Sequence, residues 1–277
     1  MAEVDDSHYL YNELITRYAD YQETLSSFMR IKTTKNDEIQ KIYQMIKTNL
    51  LDTKIFSPER IYDLIFTAYR YNNRYLKSYW TIIKMIYEEF QIKPYFYHQD
   101  ALEYFFHKEY KLPIDEYHQK IFEKYENEIF SLDIHEKNTM YRSIMDDDKD
   151  SFVKFIEDEL FDKDQTLKNK FYPESEHGLS LLELCCYHGS AGCFKLLRTK
   201  FKSEITPECL QLSFLGGNLE IINECLKEQD PDENCMKYAI ISNNIDFISF
   251  LKNEYEIDIN LETCVELGMR RFYAMTV

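Results

Sequence analysis

The stretch LGGNLEIINECLKEQD, Leu215–Asp230, opens on two glycines and an asparagine. It then places apolar residues at Leu219, Ile221, Ile222, Cys225 and Leu226, the spacing of a helix with one buried face. Fainter copies stand on either side, YHGSAGCFKLLR at Tyr187–Arg198 and ISNNIDFISFLK at Ile241–Lys252. Aligning the turns puts Gly189, Gly217 and Asn243 in register, 28 and 26 residues apart. A second apolar segment precedes each turn: LLELCCYH, PECLQLSFLG and ENCMKYAIIS. The unit is therefore helix, turn, helix, loop. Gly and Asn suit the turn because a helix commonly ends on a left-handed residue, which these types adopt at little cost. One such pair cannot bury its apolar face alone, whereas stacked copies can. The period predicts paired helices piled in series, each forming part of its neighbour's core.

Composition divides the chain at about the place where the repeats begin. Every Gly lies at residue 178 or later and every Cys at 185 or later, while of 23 Tyr only Tyr187, Tyr238, Tyr255 and Tyr273 follow residue 177. With 44% hydrophobic and 16% aromatic residues, 6 Gly and 6 Pro, the sequence has much to bury and little turn punctuation. We expect an all-α fold in which an N-terminal helical module, residues 1–140, continues into a helix-turn-helix solenoid. Residues 141–177 are read as a degenerate leading repeat and a loop, and 178–277 as repeats of which the last is incomplete.

In the N-terminal module Leu10, Leu14, Tyr18, Tyr21, Leu25 and Phe28 stripe one helix, and Ile39, Ile42, Tyr43, Ile46 and Leu50 a second. Ser57 followed by Pro58 marks a helix start, with Ile61, Leu64, Ile65, Ala68 and Tyr69 as its apolar face. Asn72–Arg74 breaks the chain before a helix carrying Leu76, Tyr79, Trp80, Ile83, Ile86 and Phe90. Further helices are expected near Gln99–Tyr110, Ile114–Ile129 and His135–Met145. The aromatic stripes, at helical spacing and without a basic groove, read as core and not as a base-stacking surface.

The segment GLSLLELCCYHGSAGCFKLL, Gly178–Leu197, resembles an ankyrin repeat: Ser180 takes the usual Thr place, Cys185 and Cys186 the paired small residues, and Gly189 the turn. GGNLEIINECL is similar to the common wording of that repeat's second half. The proline-leucine-histidine fingerprint is missing and the period is shorter than the usual one. Together with SPERIYDLIFTAYRYNNRYLKSYWTIIKMIYEEF and SIMDDDKDSFVKFIEDELF, the chain looks like the divergent ankyrin-repeat family of parasitic protists, in which an all-helical region precedes degenerate repeats. The resemblance implies protein binding and brings no catalytic residues.

One stretch invites a metal. In DDDKDSFVKFIE, Asp146, Asp148, Asp150 and Glu157 fall on positions 1, 3, 5 and 12 of a calcium loop, which makes a calcium-binding regulatory protein through Asp146–Glu157 the alternative reading. Ser151 stands where that loop needs glycine, and Lys154 where it usually has an oxygen ligand. A competing alignment shifts the segment by 95 residues, matching Phe152 to Phe247 and Phe155 to Phe250; the aspartates then cap the second helix of the leading repeat. Cys185, Cys186, His188 and Cys193 also cluster, but adjacent cysteines on a helix point about 100° apart and suit zinc poorly. No paired-histidine metal motif or Gly-rich phosphate loop occurs. We therefore expect no catalytic, cofactor-binding or metal residues and no cofactor.

The formal charge of −16 disfavours nucleic acid, and no segment approaches a membrane span. The acidic N-terminus lacks the form of a secretory signal, and 7 cysteines at mostly apolar helical positions read as reduced thiols, so the expected address is cytoplasmic. The expected function is a non-catalytic scaffold that binds another protein. Candidate contacts are His188, Ser190, Asn218, Asn243 and Asn244, at or beside the turns, where side chains are expected to reach solvent. The closing stretch LETCVELGMRRFYAMTV is expected to start one more first helix, with Cys264 repeating the register of Cys209 and Cys235, and its apolar tail to fold back or to form a docking edge.

Overall fold

Ser57 does what its sequence context predicts: its hydroxyl accepts from the Arg60 N–H, with Pro58 in the first helical position. The computed structural model describes residues 19–92, 101–126, 131–173, 175 and 177–260. Helix α1 (residues 19–29) is followed by α2 (Asn36–Ile46), which runs into a wide turn at Lys47–Leu51, and by α3 (Pro58–Tyr71). A tight turn at Asn73–Tyr75 leads to α4 (Leu76–Phe90), then α5 (Ala101–Tyr110) and α6 (Glu116–Glu126). The predicted stripes face inward. Phe28, Ile39, Ile46, Ile61, Ile65, Tyr69, Tyr79, Ile83 and Ile86 are buried, and Tyr79 donates to the Met29 carbonyl at 3.1 Å while accepting from Asn72 Nδ2 at 3.0 Å. Leu10, Leu14 and Tyr18 lie outside the described residues.

The rest of the chain is written in helix pairs: α7 (Met140–Asp146) with α8 (Lys149–Ile156), α9 (Leu181–His188) with α10 (Ala191–Leu196), α11 (Pro207–Gly216) with α12 (Leu219–Cys225), and α13 (Glu233–Ile241) with α14 (Ile245–Tyr255). Each first helix is capped by a side-chain oxygen, of Thr139, Ser180, Thr206 and Asp232, accepting from the N–H of the third helical residue. Each then leads into a left-handed residue: Asp147, Gly189, Gly217 and Asn243, with φ of 52°, 68°, 66° and 49°. The first helices pack in series, α7 on α9, α9 on α11 and α11 on α13, and the second helices α8, α10 and α12 follow alongside. Four residues before each turn sits a small buried side chain, Ser143, Cys185, Ser213 or Ala239, which lets successive helices approach.

Three details depart from the sequence expectations. Helix α7 starts at Met140 and not at His135, because Thr139 caps it. The leading repeat matches the last pair at a shift of 96 residues and not 95: caps Asp148 and Asn244, and turn residues Asp147 and Asn243, coincide at that shift. Phe152 therefore corresponds to Ile248, as do Phe194 of α10 and Ile222 of α12, all buried. A two-residue antiparallel pair, β1 (Thr166–Leu167) with β2 (Leu179–Ser180), interrupts the otherwise all-α fold within the loop that separates α8 from α9. The closing stretch with Cys264 lies outside the described residues.

Candidate functional site

Both compositional halves meet at the turn between α3 and α4. Tyr187, on α9, donates its hydroxyl to the Arg70 carbonyl at 2.9 Å and accepts from the Asn73 N–H at 3.1 Å. Asn73 Nδ2 donates to the Phe171 carbonyl at 2.9 Å, and Arg74 Nη2 to the His188 carbonyl at 3.0 Å. Behind them the Tyr172 hydroxyl lies between two imidazoles, 2.7 Å from His135 Nε2 and 2.8 Å from His188 Nε2. A hydroxyl has one proton, so it donates to one ring and accepts from the other. Burial, with the nearby Arg142 charge, pushes His135 down to about 4; burial and Arg74 hold His188 well below the usual range. Both rings are neutral structural links.

In front of this joint is a cleft of about 250 Å³, lined by Lys32 and Tyr71–Tyr75 on one side and by Tyr187–Gly189 and Leu215–Asn218 on the other. A smaller notch of about 50 Å³ adjoins it, bringing in Arg30, Ser242 and Asn244. Among the described residues no carboxylate lines either, although the chain carries 49 Asp and Glu against 33 Lys and Arg. Arg30 and Lys32 form no ion pair among the described residues. Beneath the cleft wall, Asn73 Oδ1 and Arg74 Nε are shut off from solvent and have no partner among the described residues. The turn at Gly217 also differs from its counterparts. The cap N–H groups of Asp148, Ser190 and Asn244 donate to the carbonyls of Ser143, Cys185 and Ala239, whereas at Gly217 the Ser213 carbonyl is taken by the Gly217 N–H itself. That leaves the Asn218 N–H without a partner among the described residues. Sequence reading missed this site because Arg30, Lys32 and Arg74 are scattered among acids and only folding gathers them.

The five predicted contacts divide. His188, Ser190 and Asn243 are buried, correcting the expectation that turn side chains reach solvent. Ser190 donates to the Ile144 carbonyl at 2.5 Å, which ties α10 back to α7. Asn243 is the left-handed turn residue itself, shielded by the neighbouring helices. Asn218 and Asn244 are half-buried caps whose Oδ1 atoms accept from the second and third backbone N–H groups of their helices. What the turn row exposes is the residue after each cap: Leu219 and Ile245 are 64% and 54% exposed.

The aspartate run is engaged in helix ends. Asp146 pairs with Arg142 at 2.5 Å, Asp148 caps α8, and Asp147 reaches across to α10, its carboxylate accepting from the Gly192 and Cys193 N–H groups at 3.1 and 3.0 Å. Because Lys149–Ile156 is helical, Glu157 cannot return to close a calcium loop on Asp146; the loop reading is corrected on geometry. Cys185, Cys186 and Cys193 are fully buried, and burial pushes each thiol above its usual range.

Residues 201–275 match a protein family described as a domain of unknown function (DUF3447), which takes in α11 to α14 and covers little more than a quarter of the chain. No curated protein and no solved structure matches. No helix of the described residues is long and apolar enough to cross a membrane.

Proposed function

We propose that this chain is a non-catalytic interaction scaffold built on degenerate ankyrin-like repeats, which docks another protein along the turn row of its helix pairs. The observation that carries the reading is the repeated exposure of Leu219 and Ile245. Each is the first residue of a second helix, directly after its cap, and Ala191 holds the same place, half-buried, in α10. A single exposed leucine is ordinary, but equivalent large apolar residues on successive turns form a ridge that gains from being covered. Covering either would contribute about 1.5–3 kcal/mol. The polar and thiol groups at the turns support the same reading, since they are engaged in capping and packing. The left-handed turns, the small residues before them and the serial packing support the likeness to ankyrin repeats drawn from the sequence. We place the protein in the cytoplasm, where the six described cysteines, all free and buried, would stay reduced.

The test compares the full chain with the double variant Leu219→Asp/Ile245→Asp as bait in native lysate. Both positions are exposed, so circular dichroism and melting should be unchanged. The wild type should retain a defined partner that the variant loses; equal capture by both baits refutes docking on the ridge.

A further inference from the structure

We propose that the Leu219–Ile245 ridge is covered by the same ridge of a second copy of this chain, about a two-fold axis that runs along it. The inference rests on the reading of the ridge as a docking surface and adds which partner docks there.

Charge beside the ridge is the first argument. On one edge the caps Asn218 and Asn244 lead into the cleft and its notch, where Arg30 and Lys32 stand without an ion pair among the described residues. On the other edge are Glu220 and Asp246, the exposed residues directly after Leu219 and Ile245, which line neither space. In α12 the buried residues are Ile221, Ile222 and Cys225, and in α14 Phe247, Ile248 and Leu251. At 100° per residue Glu220 and Asp246 fall on the sides of their helices away from those faces. Glu220 meets Lys195 of α10 there at 2.6 Å, while the Asp246 carboxylate has no partner among the described residues. The ridge thus runs between a cationic edge and an acidic one. Its complement is an apolar row with the same two edges in reversed order.

Symmetry is the second. A two-fold axis along the ridge swaps its edges, so Lys32 of each copy faces Asp246 of the other, twice per dimer. An axis across the ridge would set cations on cations and carboxylates on carboxylates. The same choice matches size. The ridge grows from Ala191 through Leu219 to Ile245, and an axis along it lays each residue on its own counterpart, bulky against bulky. A different protein would need the reversed order on its own surface, whereas a second copy carries it already. Two copies of formal charge −16 repel elsewhere, which favours the one face where unlike charges meet.

Sedimentation equilibrium of the full chain at about 0.15 M salt, where repulsion beyond about 8 Å is screened, tests the pairing. The wild type should enter a monomer–dimer equilibrium by about 0.1 mM, the weak end of specific association. Lys32→Glu and Asp246→Lys, both at exposed positions, should each weaken the dimer about tenfold or more, with circular dichroism unchanged. Mixed in equal amounts, the two variants should associate as the wild type does, because in the mixed dimer every carboxylate again faces a cation. Leu219→Asp/Ile245→Asp should stay monomeric. A wild type that is still monomeric at about 0.1 mM overturns the second copy and leaves the ridge itself to partner capture. A dimer that survives Leu219→Asp/Ile245→Asp, or single variants that do not recover on mixing, overturns it as well.

Discussion

Gly216 and Gly217 are adjacent and make opposite demands. A Cβ on Gly216 would lie 2.1 Å from the Cys186 carbonyl oxygen and 2.6 Å from the Gly189 nitrogen, both backbone atoms that move only if α9 and α11 separate. A Cβ on Gly217 would meet nothing closer than 4.0 Å, and its only cost is the left-handed φ of 66°. Gly216→Ala should therefore destabilise by about 3 kcal/mol or more through steric overlap, and Gly217→Ala by only about 1 kcal/mol through backbone strain. Urea unfolding measures both, and the reverse order would remove the close approach from the account. The sequence marks this pair as a turn, but it cannot assign the two roles, because one depends on a helix 30 positions earlier. The same holds for His135 and His188, which look dispersed in sequence and share one hydroxyl in the fold. His135 sits at about 4 in the folded protein, below the value of a free histidine. The unfolded chain therefore binds the proton first, so stability present above pH 6.5 is lost as pH falls towards 4. Between pH 7 and 5 this histidine alone should account for about 2 kcal/mol. His135→Phe should flatten that part of the stability-pH curve, and an unchanged slope would show the ring to be charged when folded.

Helix ends were the most legible elements. Ser57 and the Gly or Asn turns follow from capping chemistry, and the structure places them as the residue types predict. The leading repeat was less legible because phenylalanines were matched to phenylalanines. Caps and turn residues, not aromatic letters, fix the register, and they set it one residue away. Asp147 was the least legible of all. It occupies the left-handed position that Gly or Asn fills elsewhere, yet its carboxylate holds the first turn of α10, where Gly192 leaves room for it: a Cβ there would stand 3.1 Å from Asp147 Oδ1. It thus joins one helix pair to the next. Two charge-assisted bonds and a strained φ make Asp147→Ala costly, by about 2–4 kcal/mol. Asp147→Asn keeps one acceptor oxygen and tolerates the conformation, and should cost less than half as much. Chemical denaturation of the two variants separates the effects; equal losses would mean that the bonds to α10 contribute nothing.

At the scale of the molecule, composition suggested two parts, whereas most of the buried apolar residues form one cluster running from Tyr21 to Leu251, with Tyr104, Phe122 and Tyr125 in a small cluster of their own. The joint is polar at its centre, with Tyr187 bridging Arg70 and Asn73 and Phe171 closing over Asn73, and apolar at its edge, where Tyr71 and Tyr238 rings lie 5.9 Å apart. A joint of this kind makes each part a condition for the other, because pulling them apart leaves buried backbone groups unpaired. The chain carries its own reporters for this coupling. Its one tryptophan, Trp80, is buried in α4, and the described cysteines all fall between 185 and 235 in the repeats. Across a urea series, Trp80 fluorescence and pulsed labelling of Cys185, Cys186 and Cys193 should trace one transition with the same midpoint. Tyr187→Phe removes both hydroxyl bonds, at a cost of about 2–4 kcal/mol for the two backbone groups left behind. Since the core of each part is untouched by that change, the variant should expose its thiols at lower urea than it releases Trp80. Midpoints that separate in the wild type would mean that the cluster is continuous in space but not in energy. Midpoints that stay together in the variant would place the coupling in the apolar contacts and not in Tyr187.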